Sequence, residues 1–227
     1  MDNTKFINLL LLITLGGISV VLKLIKSIYN YGCADVDLSR IRNGLYINGY
    51  ITKTIINNAI AKINNFNFMN NPTIYIIIDS NGGDYLAGFD LISNMEMIKT
   101  KNITFNCYAL QAKSFAFDIF QYCDKRFVTP DAVLYQHNAN VSISLTGTFD
   151  TFDDFYKNQF ENYRSMYGSV NKFVSNRIKL NYNEYLQKIT DGWNIEGGKK
   201  IVENNLADEI ATLSNLRHIK YKYELWI

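Results

Sequence analysis

"PTIYIIIDS" (72–80) is a run of β-branched and aromatic residues with no polar alternation before Asp79. A strand with one wet face alternates apolar and polar residues. An unbroken run suits a strand buried on both faces of a sheet. "NGGD" (81–84) stops the run, and "YLAGFDLISNMEMIK" (85–99) follows with helical spacing. A buried strand, a tight turn and a helix are the parts of a parallel crossover. The expected class is therefore α/β with a mostly parallel sheet.

On the N-terminal side, "GLYINGYI" (44–51) reads as a strand. "TKTIINNAIAKINNF" (52–66) reads as a helix, with Ile55, Ile56, Ala59, Ile60 and Ile63 on one face. On the C-terminal side the pattern predicts a strand over 103–110 and a helix over 114–123. Short strands are predicted at 125–129 and 132–136, on either side of Pro130. After a polar loop, a long helix spans 151–178, with Phe152, Phe155, Tyr163, Met166, Tyr167, Val170 and Phe173 as its stripe. Shorter helices are expected at 181–190 and 196–206.

The N-terminus differs in kind. "FINLLLLITLGGISVVLKLI" (6–25) is nearly uncharged until Lys23 and is close to the ~20 residues that span a bilayer. Residues 1–26 are expected to be a membrane anchor, 27–43 a polar linker, and 44–227 the globular domain. Lys23 and Lys26 follow the span, which places the domain on the cytoplasmic or organelle-matrix side. Cys33, Cys107 and Cys123 fit no zinc spacing and are expected as reduced thiols, the latter two buried. A net charge of +2 gives no nucleic-acid footprint.

Four features fall at expected element boundaries. Gly82 and Gly83 permit a tight corner, or aim a backbone N–H at an anion. Ser114 stands where "ITFNCYAL" (103–110) hands over to a helix, as an N-cap or a nucleophile. His137 ends the strand 132–136, the edge from which α/β sites draw side chains. The other histidine, His218, lies in the charged tail "LRHIKYK". Asp191 sits in "TDGW" (190–193), as a turn residue or a functional acid. Singly, each has an ordinary structural explanation. Together they offer a nucleophile, a base to activate it, an acid to orient the base, and donors for a developing oxyanion.

On these residues the chain from about 40 to 212 resembles the Clp-type serine peptidases of the ClpP/crotonase superfamily. "IYIIIDSNGGDYLAGFDLISNMEMIK" (74–99) is similar to the family's strand, N-S-P-G-G turn and helix. "LQAKSFAF" (110–117) corresponds to G-Q-A-A-S-M-G-A, which puts Ser114 on the nucleophile. "KRFVTPDAVLYQHNA" (125–139) puts His137 on the general base, and "TDGWNIEGGKKIVENNLADEI" (190–210) puts Asp191 on the acid.

The resemblance implies a ClpP/crotonase-like α/β fold, with helices flanking the sheet and 151–178 as a long protruding handle. It implies a serine endopeptidase that needs no metal or organic cofactor, with the Gly83 and Phe115 N–H groups as oxyanion hole. It implies a polypeptide substrate, a homo- or hetero-oligomeric ring of ClpP-like subunits, and an AAA+ unfoldase as partner. Residues 6–25 would add a membrane contact.

This chain departs from the pattern at Asn81, Lys113, Phe115–Ala116–Phe117 and Asn138–Ala139. Phe115 and Phe117 are expected to narrow the substrate groove. The departures motivate an alternative, a catalytically inactive ClpP-like subunit of a ring or membrane-associated complex. A crotonase-like acyl-CoA enzyme would share the fold without needing the Ser/His/Asp set.

Overall fold

Ile76, Ile77 and Ile78 are all fully buried, as a strand covered on both faces requires. They belong to β3 (Thr73–Gly83) in a seven-stranded sheet. The other strands are β1 (Ala34–Asp37), β2 (Gly44–Ile51), β4 (Thr104–Lys113), β5 (Lys125–Gln136), β6 (Trp193–Glu196) and β7 (Glu209–Ser214). The order is β1-β7-β5-β4-β3-β2. β6 lies antiparallel on β5, and every other pairing is parallel. The helices are α1 (Lys53–Asn64), α2 (Tyr85–Lys99), α3 (Phe115–Gln121), α4 (Phe149–Arg177), α5 (Tyr182–Thr190) and α6 (Gly198–Glu203).

This computed structural model describes residues 34–38, 41–68, 72–140 and 149–214. The expected anchor 6–25, Cys33 and His218 lie outside them, as do residues 141–148 of the expected loop. Among the described residues, no helix is long and apolar enough to cross a membrane.

The period of two divides β3 between two cores. Ile76 and Ile78 join the larger one, with Ile55, Ile56, Ala59 and Ile63 of α1 and Leu91 and Met95 of α2. Ile77 faces the other way. It clusters with Tyr46 and Tyr108 of the neighbouring strands β2 and β4, with Phe127 of β5, and with Leu38 and Ile41. Each fully buried side chain of this size contributes about 1.5–3 kcal/mol.

Several expectations change. The linker 27–43 contains β1, which pairs with β7, and its Leu38 and Ile41 are buried. Four residues of mixed polarity carry too short a pattern to read as a strand. The strands on either side of Pro130 are one strand, β5. Proline cannot donate to a ladder, and the ladder skips it: Val128 pairs with Ala109, and Val133 with Gln111.

Cys107 and Cys123 are not reduced thiols but a disulfide. Cys107 points from β4 into the larger core and Cys123 lies just past α3. Their Cα atoms are 5.9 Å apart, within the usual disulfide range.

The expected handle is α4. Val170, Val174 and Ile178, from its last turns onward, are buried, whereas Tyr156 and Phe160 are exposed. Its end is held by Arg177, whose Nη2 donates to the Asp124 carbonyl at 2.8 Å. Nearby, Arg126 is 3% exposed and ion-paired with Asp208 at 2.7 Å. This pair joins the start of β5 to the approach to β7.

Candidate active site

Three ladders slip near the C-terminal ends of their strands. The shifts fall at Gly49/Tyr50 in β2–β3, at Ile78/Asp79 in β3–β4, and at Ala109/Gln111 in β4–β5. Bulges re-aim the backbone. Here they form a row along the sheet edge where α/β proteins build their sites.

The "DSNGGD" turn is held by its own side chains. Ser80 Oγ donates to the Gly49 carbonyl at 2.6 Å and accepts from Gly82 N–H at 3.1 Å. Gln111 Nε2 donates to Asn81 Oδ1 at 2.9 Å. Asp84 caps α2 by accepting from Ala87 N–H at 3.0 Å. Gly82 has φ +87°, and a Cβ there would stand 2.7 Å from Ser114 Cβ. The turn therefore approaches Ser114 as closely as backbone can, which only glycine permits.

Ser114 occupies the single turn between β4 and α3, with φ 51° and ψ −131°. A non-glycine residue held there costs about 1–3 kcal/mol and persists only where its surroundings over-determine it. Ser114 N–H donates to the Tyr135 carbonyl at 2.8 Å, and its carbonyl accepts from Phe117 N–H at 2.9 Å. Its hydroxyl does not cap α3. It lies 3.0 Å from His137 Nε2 instead, at hydrogen-bond distance. Ser114 thus stands at the N-cap position of α3, but its hydroxyl makes no capping hydrogen bond and is partnered with His137.

His137 follows directly on β5. Its ring stacks on Tyr135, with centroids 5.5 Å apart. Gly83 and Phe115 line the same cavity as Ser114 and His137. As the first residue of α3, Phe115 has an N–H with no intrahelical acceptor.

Asp191 is placed differently. It ends α5, is exposed, and accepts from Gln187 Nε2 at 3.1 Å. Among the described residues, no hydrogen bond joins it to His137. Its turn is nevertheless tied to the histidine segment. Asn138 N–H donates to the Ile189 carbonyl at 3.0 Å, and Asn138 Nδ2 donates to Thr190 Oγ1 at 3.0 Å. The structure thus brings Ser114 and His137 together, and among the described residues it joins Asp191 to neither by a hydrogen bond.

The departures resolve unevenly. Phe117 is 1% exposed and belongs to the larger core, so it does not narrow the groove. Phe115 does line the cavity. Its ring packs edge-on against Tyr85 at 4.7 Å and lies over Gly88, where a Cβ would overlap it. Lys113 is not among the residues that line the cavity.

Sequence reading misses two buried polar residues of this cavity, Asp118 and Gln136. Gln136 Nε2 donates to Asp118 Oδ1 at 2.7 Å, and Gln136 Oε1 accepts from His137 N–H at 3.0 Å. Burial pushes the Asp118 carboxyl up to about 7, partly opposed by the Gln136 hydrogen bond. The available signal was a lone acid inside the apolar helix "FAFDIF" (115–120). Among the described residues, no group of His, Cys, Asp and Glu could hold a metal ion.

No curated protein matches the chain. The family model described as Clp protease matches residues 37–212, from the end of β1 into β7. That stretch is most of the sequence and carries the whole constellation around Ser114, and the chain belongs to the Clp protease family.

Proposed function

We propose that the protein is a serine endopeptidase acting within a ring of ClpP-like subunits. The supporting observation is Ser114 Oγ, held at a strained strand-to-helix turn 3.0 Å from His137 Nε2. In this reading Ser114 Oγ attacks the peptide carbonyl carbon while His137 Nε2 takes its proton. The tetrahedral oxyanion is held by the Gly83 and Phe115 N–H groups. His137 then returns the proton to the leaving amine, and the acyl-enzyme is hydrolysed by water along the same route. Asp191 is the acid that orients His137, after exchanging Gln187 for the imidazole. The substrate is a polypeptide, and family membership supports an AAA+ unfoldase as the partner that delivers it.

The test is fluorophosphonate labelling of the assembled protein. Labelling of the wild type, abolished by Ser114→Ala and reduced by about 10³-fold or more in His137→Ala, is the expected result. An assembled, folded wild type that does not label would sink the enzyme reading and favour the structural-subunit alternative.

A further inference from the structure

Asp118 has no part in the chemistry above, yet it lines the same cavity as Ser114 and His137, a space of about 670 Å³. It lies four residues after Ser114, about 6 Å along the helix axis. Helical side chains lean toward the N-terminus, so its carboxyl leans back toward the nucleophile's turn. It is 5% exposed, and Gln136 takes one of its oxygens. Among the described residues, no hydrogen bond and no ion pair reaches the second oxygen.

Beside it, the buried Tyr85 hydroxyl also has no hydrogen-bond partner. The other charges on the cavity wall do not neutralise Asp118. Asp84 adds a second acid, and Lys53 is paired with Asp90. A buried carboxyl with an unused oxygen, in a cavity also lined by an unused hydroxyl and the aromatic rings of Tyr85 and Tyr167, matches a cationic side chain. The carboxylate supplies the counter-charge and the aromatic rings a cation–π face.

We infer that Asp118 floors a specificity pocket for a lysine or arginine side chain on the residue whose carbonyl Ser114 attacks. This rests on the peptidase reading. A flexible apolar stem would lie along Phe115 and Leu86 while the charged head reaches the acid.

The experiment compares fluorogenic peptides of one sequence carrying Lys, Arg, Gln or Leu before the reporter, with fluorophosphonate labelling run on the same samples. The wild type should favour Lys and Arg over Leu by about tenfold or more in kcat/KM. Asp118→Asn, nearly isosteric and still able to accept from Gln136, should lower the Lys/Leu ratio by about tenfold or more.

A readout on the wild type alone covers the case of a poorly folding variant. A peptidyl argininal should block labelling at lower concentration than the matched leucinal. A wild type that labels but prefers Leu or Gln overturns the pocket and leaves the peptidase reading standing. An unchanged Lys/Leu ratio in folded Asp118→Asn does the same. Absence of wild-type labelling removes both.

Discussion

Asp191 is the residue on which the proposed triad turns. Its present partner is Gln187, four residues back on an exposed helix end. Such a pair is worth only about 0.2–0.5 kcal/mol. A hydrogen bond to a charged imidazolium is worth about 1.5–3 kcal/mol. In the proposed mechanism the exchange is therefore favoured once His137 takes the Ser114 proton. Asp191→Asn should lower the fluorophosphonate labelling rate by about 10²-fold or more, and Gln187→Ala, which frees the carboxylate, should raise it. Wild-type labelling by Asp191→Asn would mean that Ser114 and His137 act without it. Ser114 and His137 were legible in sequence because each sits at the end of a strongly patterned strand, inside a motif. Asp118 and Gln136 were not. Each reads as one polar residue in a buried element, and only the approach of α3 to the end of β5 gives them a shared cavity.

Among the elements, the long and strongly patterned ones were readable. α2 occupies 85–99 as expected, β2 occupies 44–51, and β3 runs only three residues beyond its apolar run, through the glycine turn. β1, β6 and β7 escaped because strands of four to six residues, partly exposed, carry little periodicity. The link between β4 and the end of α3 escaped for another reason. Cys107 and Cys123 are separated by 16 residues, and only the return of α3 antiparallel along β4 brings them together. Closing a loop of that length stabilises the fold by about 3 kcal/mol, by restricting the unfolded chain. Reductant should therefore lower the denaturant midpoint of the wild type and leave Cys107→Ala/Cys123→Ala unmoved. Titration of the denatured protein should find fewer thiols before reduction than after. Equal thiol counts would show that the bond does not form.

At the scale of the whole molecule, the specificity proposal implies a stability penalty, because an acid is kept out of water with no resident cation beside it. Burial raises Asp118 from an ordinary value of 3.8 to about 7. Between those values the folded protein holds a proton that the unfolded chain has released. Stability falls as pH rises through this window, and the loss is complete above about pH 7. At ~1.4 kcal/mol per pH unit, it amounts to about 4 kcal/mol. Asp208 works in the opposite sense. Burial raises its carboxyl, but hydrogen bonds and charge from Arg126 outweigh that and hold it below the usual range. Its contribution is present above the unfolded value and is lost as pH falls. The two are separated by comparing Asp118→Asn with the wild type at each pH, since every group common to both cancels. Denaturant midpoints at fixed protein concentration, from pH 4 to 8, should show the variant gaining on the wild type by about 4 kcal/mol across the series. A constant difference would mean that Asp118 is ionised throughout. Its burial would then be offset in the folded protein by water or a cation in the cavity, and the stability penalty would be absent.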